Sequence, residues 1–116
     1  MAENMTIAQV FLDHLDAVGA GDFERLLGGY AKDAVIITPQ QTYMGRQGVA
    51  DFYRTALTAY PNLKLTLDDY KAHGDMLLAM WNGDSDVARI EAGVDTFVIR
   101  DNEILQQTIW FVPVPK

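Results

Sequence analysis

Residues 93–112 read GVDTFVIRDNEILQQTIWFV. Up to Arg100 the run alternates, with Asp95, Phe97 and Ile99 on one side of an extended strand and Val94, Thr96, Val98 and Arg100 on the other. RDNE at 100–103 is a tight turn. ILQQTIWFV at 104–112 then alternates again, setting Leu105, Gln107, Ile109 and Phe111 against Gln106, Thr108 and Trp110. The pattern predicts a long antiparallel hairpin whose first strand carries a carboxylate where a hydrophobe belongs. Either that face lines a cavity, or Asp95 is a strand-end residue that reaches water.

Working upstream, LKLTLDDYK at 63–71 alternates, and HGD at 73–75 turns the chain into MLLAMWN at 76–82. Residues 83–92 fit either a long hairpin loop or the continuation of two strands. The first half is helical. Thr6 and Gln9 stand at capping-box spacing. Ile7, Val10, Phe11, His14, Leu15 and Val18 then form one stripe at helical intervals, which GAG at 19–21 ends. Asp22 can cap a short second helix carrying Phe23, Leu26, Leu27 and Tyr30, and a third is expected from Gln47 to about Tyr60, stopped by YPN. AVIITP at 34–39 and QTYM at 41–44 are short strands between them. Helices gathered in the first half and long antiparallel strands in the second describe an α+β domain with helices on one sheet face.

The chain has 116 residues, the length of one domain, 1–116, and its 49% hydrophobic and 22% charged content is that of an ordered protein. Sixteen acidic against nine basic residues give a net charge of −7. That balance argues against nucleic acid and against anionic membranes, both of which need a basic surface. No stretch reaches the roughly 20 apolar residues of a membrane span. The start, MAENMTIAQVF, lacks the basic region of a secretory leader, so a cytoplasmic protein is expected. There is no cysteine, hence no disulfide and no thiolate nucleophile or ligand. His14 and His73 stand 59 positions apart with no acid at ligand spacing, and no phosphate loop, dinucleotide fingerprint or G-x-S-x-G elbow occurs. No metal and no cofactor is expected.

Several segments in order, GDFERLLGGYAKDAVIITP (21–39), GRQGVADFY (45–53), GVDTFVIRDNEI (93–104) and QQTIWF (106–111), resemble the SnoaL-like branch of the nuclear transport factor 2-like superfamily. This is the branch of polyketide cyclases and ketosteroid isomerase, and the resemblance runs over roughly residues 6 to 112. It implies a cystatin-like cone, three N-terminal helices packed on a curved antiparallel or mixed sheet that encloses a pocket. It also places Asp95 where the isomerases hold a protonated aspartic acid that donates to the substrate oxyanion. His14 falls at the position of that acid's tyrosine partner, Tyr53 at a supporting tyrosine, and Tyr30 joins the same network. Thr38 occupies the place of the aspartate general base. Threonine cannot shuttle a proton near neutral pH, so steroid isomerisation by that mechanism is not expected. Phe11, Phe52, Thr38, Trp81, Phe97, Gln107 and Phe111 are the implied substrate wall. Gln106, Thr108 and Trp110 fall on the outer sheet face, where the resemblance implies a homodimer.

Each residue also has a plainer reading. His14 is either a core histidine satisfied by one hydrogen bond or the group that moves a proton near pH 7. Asp95 is a structural acid, a neutral donor, or the partner of His14 in an imidazolium–carboxylate or base–orienter pair, and adjacency favours the pair. Tyr30 and Tyr53 are wall residues or hydrogen-bond donors, and Trp81 is core packing or an aromatic wall. Two functions follow: cofactor-free acid–base isomerisation, cyclisation or dehydration of a small apolar carbonyl compound, or a non-catalytic ligand-binding or dimerisation module.

Overall fold

Thr6 and Gln9 close the capping box. The Thr6 hydroxyl accepts from the Gln9 amide at 3.1 Å and the Gln9 side chain accepts from the Thr6 amide at 2.8 Å. The helix they start, α1, runs Ile7–Ala20 and ends at Gly21, whose φ of +66° is a conformation glycine adopts without strain. The computed structural model describes residues 5–116. The opening residues of the segment read for a leader, 1–4, lie outside the described residues.

After α1 come α2 (Phe23–Gly28), β1 (Tyr30–Ile37), β2 (Thr42–Met44), α3 (Gly45–Ala59), β3 (Lys64–His73), β4 (Met76–Asp84), β5 (Ala88–Arg100) and β6 (Glu103–Pro115). The strands form one sheet in the order β2-β1-β6-β5-β4-β3. All neighbours are antiparallel except β1 and β6, which run parallel, so the sheet is mixed. It ends in the free edges of β2 and β3 and does not close into a barrel. Phe11 and Ala17 of α1, Val49 of α3 and Leu77, Phe97, Ile99 and Ile104 of the sheet make the core between the helices and the sheet's inner face.

The ambiguous stretch 83–92 is strand: β4 continues to Asp84 and β5 begins at Ala88, joined by a turn that the Ser85 hydroxyl ties by donating to the Ala88 carbonyl at 2.8 Å. Strict alternation fails at bulges in β3, β5 and β6, and the β1–β6 ladder is irregular between Tyr30 and Val35. In β5, Ile90 and Gly93 pair with Pro113 and Phe111, so one extra residue lies at 91–92 and both Ile90 and Asp95 face inward. In β3 the register shifts between Leu67 and Asp69, and Tyr70 rather than Asp69 turns in, against Phe11. In β6 the shift beside Ile99 brings Ile104 into the core and corrects the expected inward Leu105, which lines a shallow groove on the outer face with Gln106. The RDNE turn is as expected, with Asp101 and Asn102 at φ of +54° and +65°.

Candidate functional site

A cavity of about 310 Å³ lies between α1, α3 and the inner face of β3 to β6. Its walls are mostly apolar: Phe11, Leu15 and Val18 from α1, Phe52 and Leu57 from α3, Leu65, Leu67, Trp81, Ile109 and Phe111 from the sheet. The cavity opens to solvent. Its volume is at the small end of the roughly 300–1,000 Å³ usual for ligand pockets.

Trp81, Asp95, Gln107, Tyr53 and His14 of the lining are joined in a continuous hydrogen-bond chain that passes through Tyr30 behind the wall. Asp95 on β5 accepts from Trp81 Nε1 at 3.0 Å and from Gln107 Nε2 at 3.1 Å, one donor on each carboxylate oxygen. Gln107 Oε1 in turn accepts from the Tyr30 hydroxyl. Tyr30 and Tyr53 hydroxyls are 2.8 Å apart, and Tyr53 Oη is 3.5 Å from His14 Nε2. The proton positions follow from one end. A carboxylate only accepts, so Gln107 presents its NH2 to Asp95 and its oxygen to Tyr30. The Tyr30 proton is then committed to Gln107, the Tyr53 proton bridges the two hydroxyls, and the long contact to His14 needs a hydrogen on Nε2. These assignments make His14 the Nε2–H tautomer, and its buried Nδ1 has no partner among the described residues.

Burial sets the acidities. Desolvation pushes His14 down to about 4, with neighbouring Asp13 pulling weakly the other way. It pushes Asp95 up to about 6 against the two hydrogen bonds from Trp81 and Gln107, which favour the charged form. Tyr30 and Tyr53 are raised, again first by burial. At pH 7 the imidazole is neutral and Asp95 is an anion with an accessible conjugate acid.

This geometry alters the sequence expectations. His14 and Asp95 share the cavity wall, but three side chains connect them, and among the described residues no hydrogen bond or ion pair joins them directly. The imidazolium–carboxylate pair is therefore not formed. Asp95 also receives two N–H donors, which suits an acceptor and not the neutral oxyanion donor of the isomerases. Thr38 lies away from the cavity. Its hydroxyl donates to the Gln41 carbonyl at 3.1 Å and accepts from the Gln40 and Gln41 amides, holding the turn between β1 and β2. Phe97 and Tyr30 are fully buried beside the cavity and do not line it, and Phe97 packs against Phe11 and His14 at ring distances of 5.3 and 5.5 Å. Phe11, Phe52, Tyr53, Trp81, Gln107 and Phe111 do line it. Trp110 is half-exposed on the outer face, and there the Thr96 and Thr108 hydroxyls are hydrogen-bonded to one another.

Two positioning residues escaped the sequence reading. Arg46, at the start of α3, donates from Nε and Nη2 to the Tyr30 carbonyl at 3.2 and 3.0 Å, where the β1–β6 ladder is irregular. Gly93 faces Trp81 across the β4–β5 ladder, and the indole lies against its backbone so closely that an added Cβ would sit 2.2 Å from Cε2. Only glycine lets the indole lie flat there, with its N–H on Asp95. Among the described residues, no group of three or more His, Asp or Glu is gathered as a metal site.

The SnoaL-like domain profile matches residues 11–107. The chain belongs to the SnoaL-like domain family. Solved structures similar to this SnoaL-like chain share its fold at low identity. An NTF2-like protein of unknown function from Cytophaga hutchinsonii superimposes with a TM-score of 0.81 at 12% identity, covering 97% of this chain and 95% of that one. A provisionally assigned polyketide cyclase from Sinorhizobium meliloti gives 0.81 at 18%, covering 88% and 94%. A provisionally assigned ketosteroid isomerase from Kribbella flavida gives 0.78 at 20%, covering 90% and 76%. A search of curated proteins finds no match. The fold is NTF2-like, three helices on a six-stranded mixed sheet. No described helix is long and apolar enough to cross a membrane.

Proposed function

We propose that this SnoaL-like protein binds a small, largely apolar carbonyl compound in the cavity and moves a proton on it without a cofactor, in an isomerisation, cyclisation or dehydration. One observation carries the reading. Asp95 is a carboxylate at the wall of an apolar cavity, with no ion pair among the described residues and an acidity near 6. Such a group takes a proton at neutral pH and returns it, which is what a base acting next to a carbonyl must do. Asp95 is the base. His14, uncharged and tied to Tyr53, anchors the far end of the hydrogen-bond chain that orients Gln107 and thereby the carboxylate.

The test is exchange of the activated methylene hydrogens of 2-tetralone in D2O, followed by NMR. The protein accelerates exchange above buffer, and Asp95→Asn lowers the gain about a hundredfold, within the range typical of a positioned base. Equal exchange by wild type and Asp95→Asn removes the assignment. A second reading, ligand binding without turnover, has its own support: nearly every N–H and O–H of the polar wall is already committed to a protein acceptor, which leaves little to stabilise an enolate oxygen. Binding of 2-tetralone with no exchange above buffer selects it.

We propose also that two copies associate through the outer sheet face. Met80, Val94 and Trp110 stand in one cross-strand row there, and Met76, Trp110 and Val112 are each half-exposed or more. An apolar row on a face that no helix covers is a docking surface, and a sheet face packs well on its own copy. Sedimentation should give a dimer for wild type and a monomer for Trp110→Lys. A wild type of monomer mass at micromolar concentration ends the proposal.

A further inference from the structure

The hydrogen-bond chain around Asp95 is rich in lone pairs and poor in free hydrogens, while the donors of Lys64 and Tyr60 line the cavity outside that chain. Trp81 Nε1–H and one N–H of Gln107 are given to Asp95, the Tyr30 hydroxyl to Gln107, the Tyr53 hydroxyl to Tyr30, and the His14 Nε2–H to Tyr53. The second N–H of Gln107 meets the Tyr53 hydroxyl, so this set has no hydrogen to spare. On the acceptor side, each Asp95 oxygen has accepted one hydrogen and retains a lone pair, and His14 Nδ1 is buried with no partner. The cavity therefore has a polarity: around Asp95 it offers acceptors and few donors.

We propose that the cavity selects a ligand that gives a hydrogen bond to Asp95: a largely apolar compound carrying a hydroxyl, and for an enolisable carbonyl compound its enol form. This rests on the reading of the cavity as a ligand site and names the group that meets Asp95 there. An ether oxygen, or a ketone turned with its oxygen towards Asp95, offers the carboxylate only lone pairs and leaves it desolvated without a new donor. A hydroxyl replaces the lost water with a charge-assisted bond. An aromatic or other apolar body suits the walls, where Trp81 and Tyr60 each pack on Phe111 with ring centroids 5.7 Å from it, tilted by 55° and 74°. The other polar and titratable groups around Asp95 are Trp81 and Gln107, which touch it, and Tyr53, His14 and Lys64 on the shared cavity wall. None forms an ion pair with it among the described residues.

Calorimetric titration of the intact protein with 2-naphthol and with 2-methoxynaphthalene tests this. The two probes share a ring system, and only the first donates. At pH 8 the naphthol should bind at least about tenfold more tightly, the factor expected of one hydrogen bond to a charged group. At pH 5 Asp95 carries a proton and becomes a donor, so the preference should fall severalfold. Phenols, with acidities near 10, stay neutral over that range, so the ligand does not cause the change. Asp95→Asn should abolish the naphthol advantage at pH 8. Equal binding of the two probes at pH 8, or a preference unchanged at pH 5, overturns the inference and leaves the cavity reading standing. If neither probe binds, the cavity reading falls and the inference with it.

Discussion

Gly93→Ala should destabilise the protein by about 2–4 kcal/mol and disconnect Trp81 from Asp95. The new Cβ would stand 2.2, 2.4 and 2.6 Å from Cε2, Cδ2 and Cζ2 of the indole, distances that no small adjustment relieves. The ring cannot yield by a rotation of its far end, because the clash falls on the fused edge beside Nε1, the atom bonded to Asp95. Overpacking alone typically costs about 1–3 kcal/mol, and loss of a hydrogen bond to a charged group adds to it. For a domain of this length that is a fall in Tm of roughly 10–20 °C. Trp81 fluorescence should shift as the indole leaves its place. The pKa of Asp95 should rise above about 6, since the Trp81 bond is one of the two that hold it down. A double-mutant cycle identifies the cause: in a Trp81→Leu background the alanine should cost less than about 1 kcal/mol, because the ring it strikes is gone. A single mutant with Tm within about 2 °C of wild type would show that the indole does not lie on Gly93.

That glycine illustrates what the sequence makes legible and what it hides. The elements were readable because their signals are local: the Thr6–Gln9 box, the glycine stop after α1, the alternation of β5 and β6, the RDNE turn. Register was less so. A bulge is one residue out of phase, and nothing in LKLTLDDYK announces that Asp68 is the extra one, or that Leu105 yields its inward place to Ile104. The residues on one wall could be gathered by parity: Asp95, Trp81 and Gln107 meet as alternation and the resemblance imply. Their chemistry could not. Whether Asp95 donates or accepts depends on which atoms its neighbours present, and sequence adjacency pairs His14 with it although Tyr53, Tyr30 and Gln107 lie between. Thr38 falls one residue past β1, and a turn hydroxyl and a pocket hydroxyl look alike in sequence. Gly93 did carry a signal, an isolated glycine in a strand run that marks close approach of another group, and Trp81 is that group.

The same two buried groups predict an unusual dependence of stability on pH. His14 titrates near 4 in the folded chain against 6.5 when unfolded, so it contributes stability above pH 6.5 that is lost as pH falls towards 4. Asp95 behaves oppositely. Its pKa is raised from 3.8 to about 6, so its contribution is fully present below 3.8 and is lost as pH rises through 6. At about 1.4 kcal/mol for each tenfold change in acidity, each effect is on the order of 3 kcal/mol. Between about pH 4 and 6 they run against one another and nearly cancel. Removing either should uncover the other. Relative to wild type, Asp95→Asn should gain about 3 kcal/mol as pH rises from 4 to 6, because only the His14 slope remains, and His14→Phe should lose a similar amount over the same interval. Urea unfolding at half-unit steps from pH 4 to 7.5 reads both. Every other carboxylate is common to the three proteins, so only differences between their curves enter, and any pH-independent cost of the lost Tyr53 or Gln107 contacts shifts a curve without tilting it. Parallel curves would mean that neither group feels the desolvation its burial implies. The expected opposite tilts would place an uncharged histidine and a reluctant carboxylate in one interior, a combination that leaves Asp95 alone to exchange protons at neutral pH.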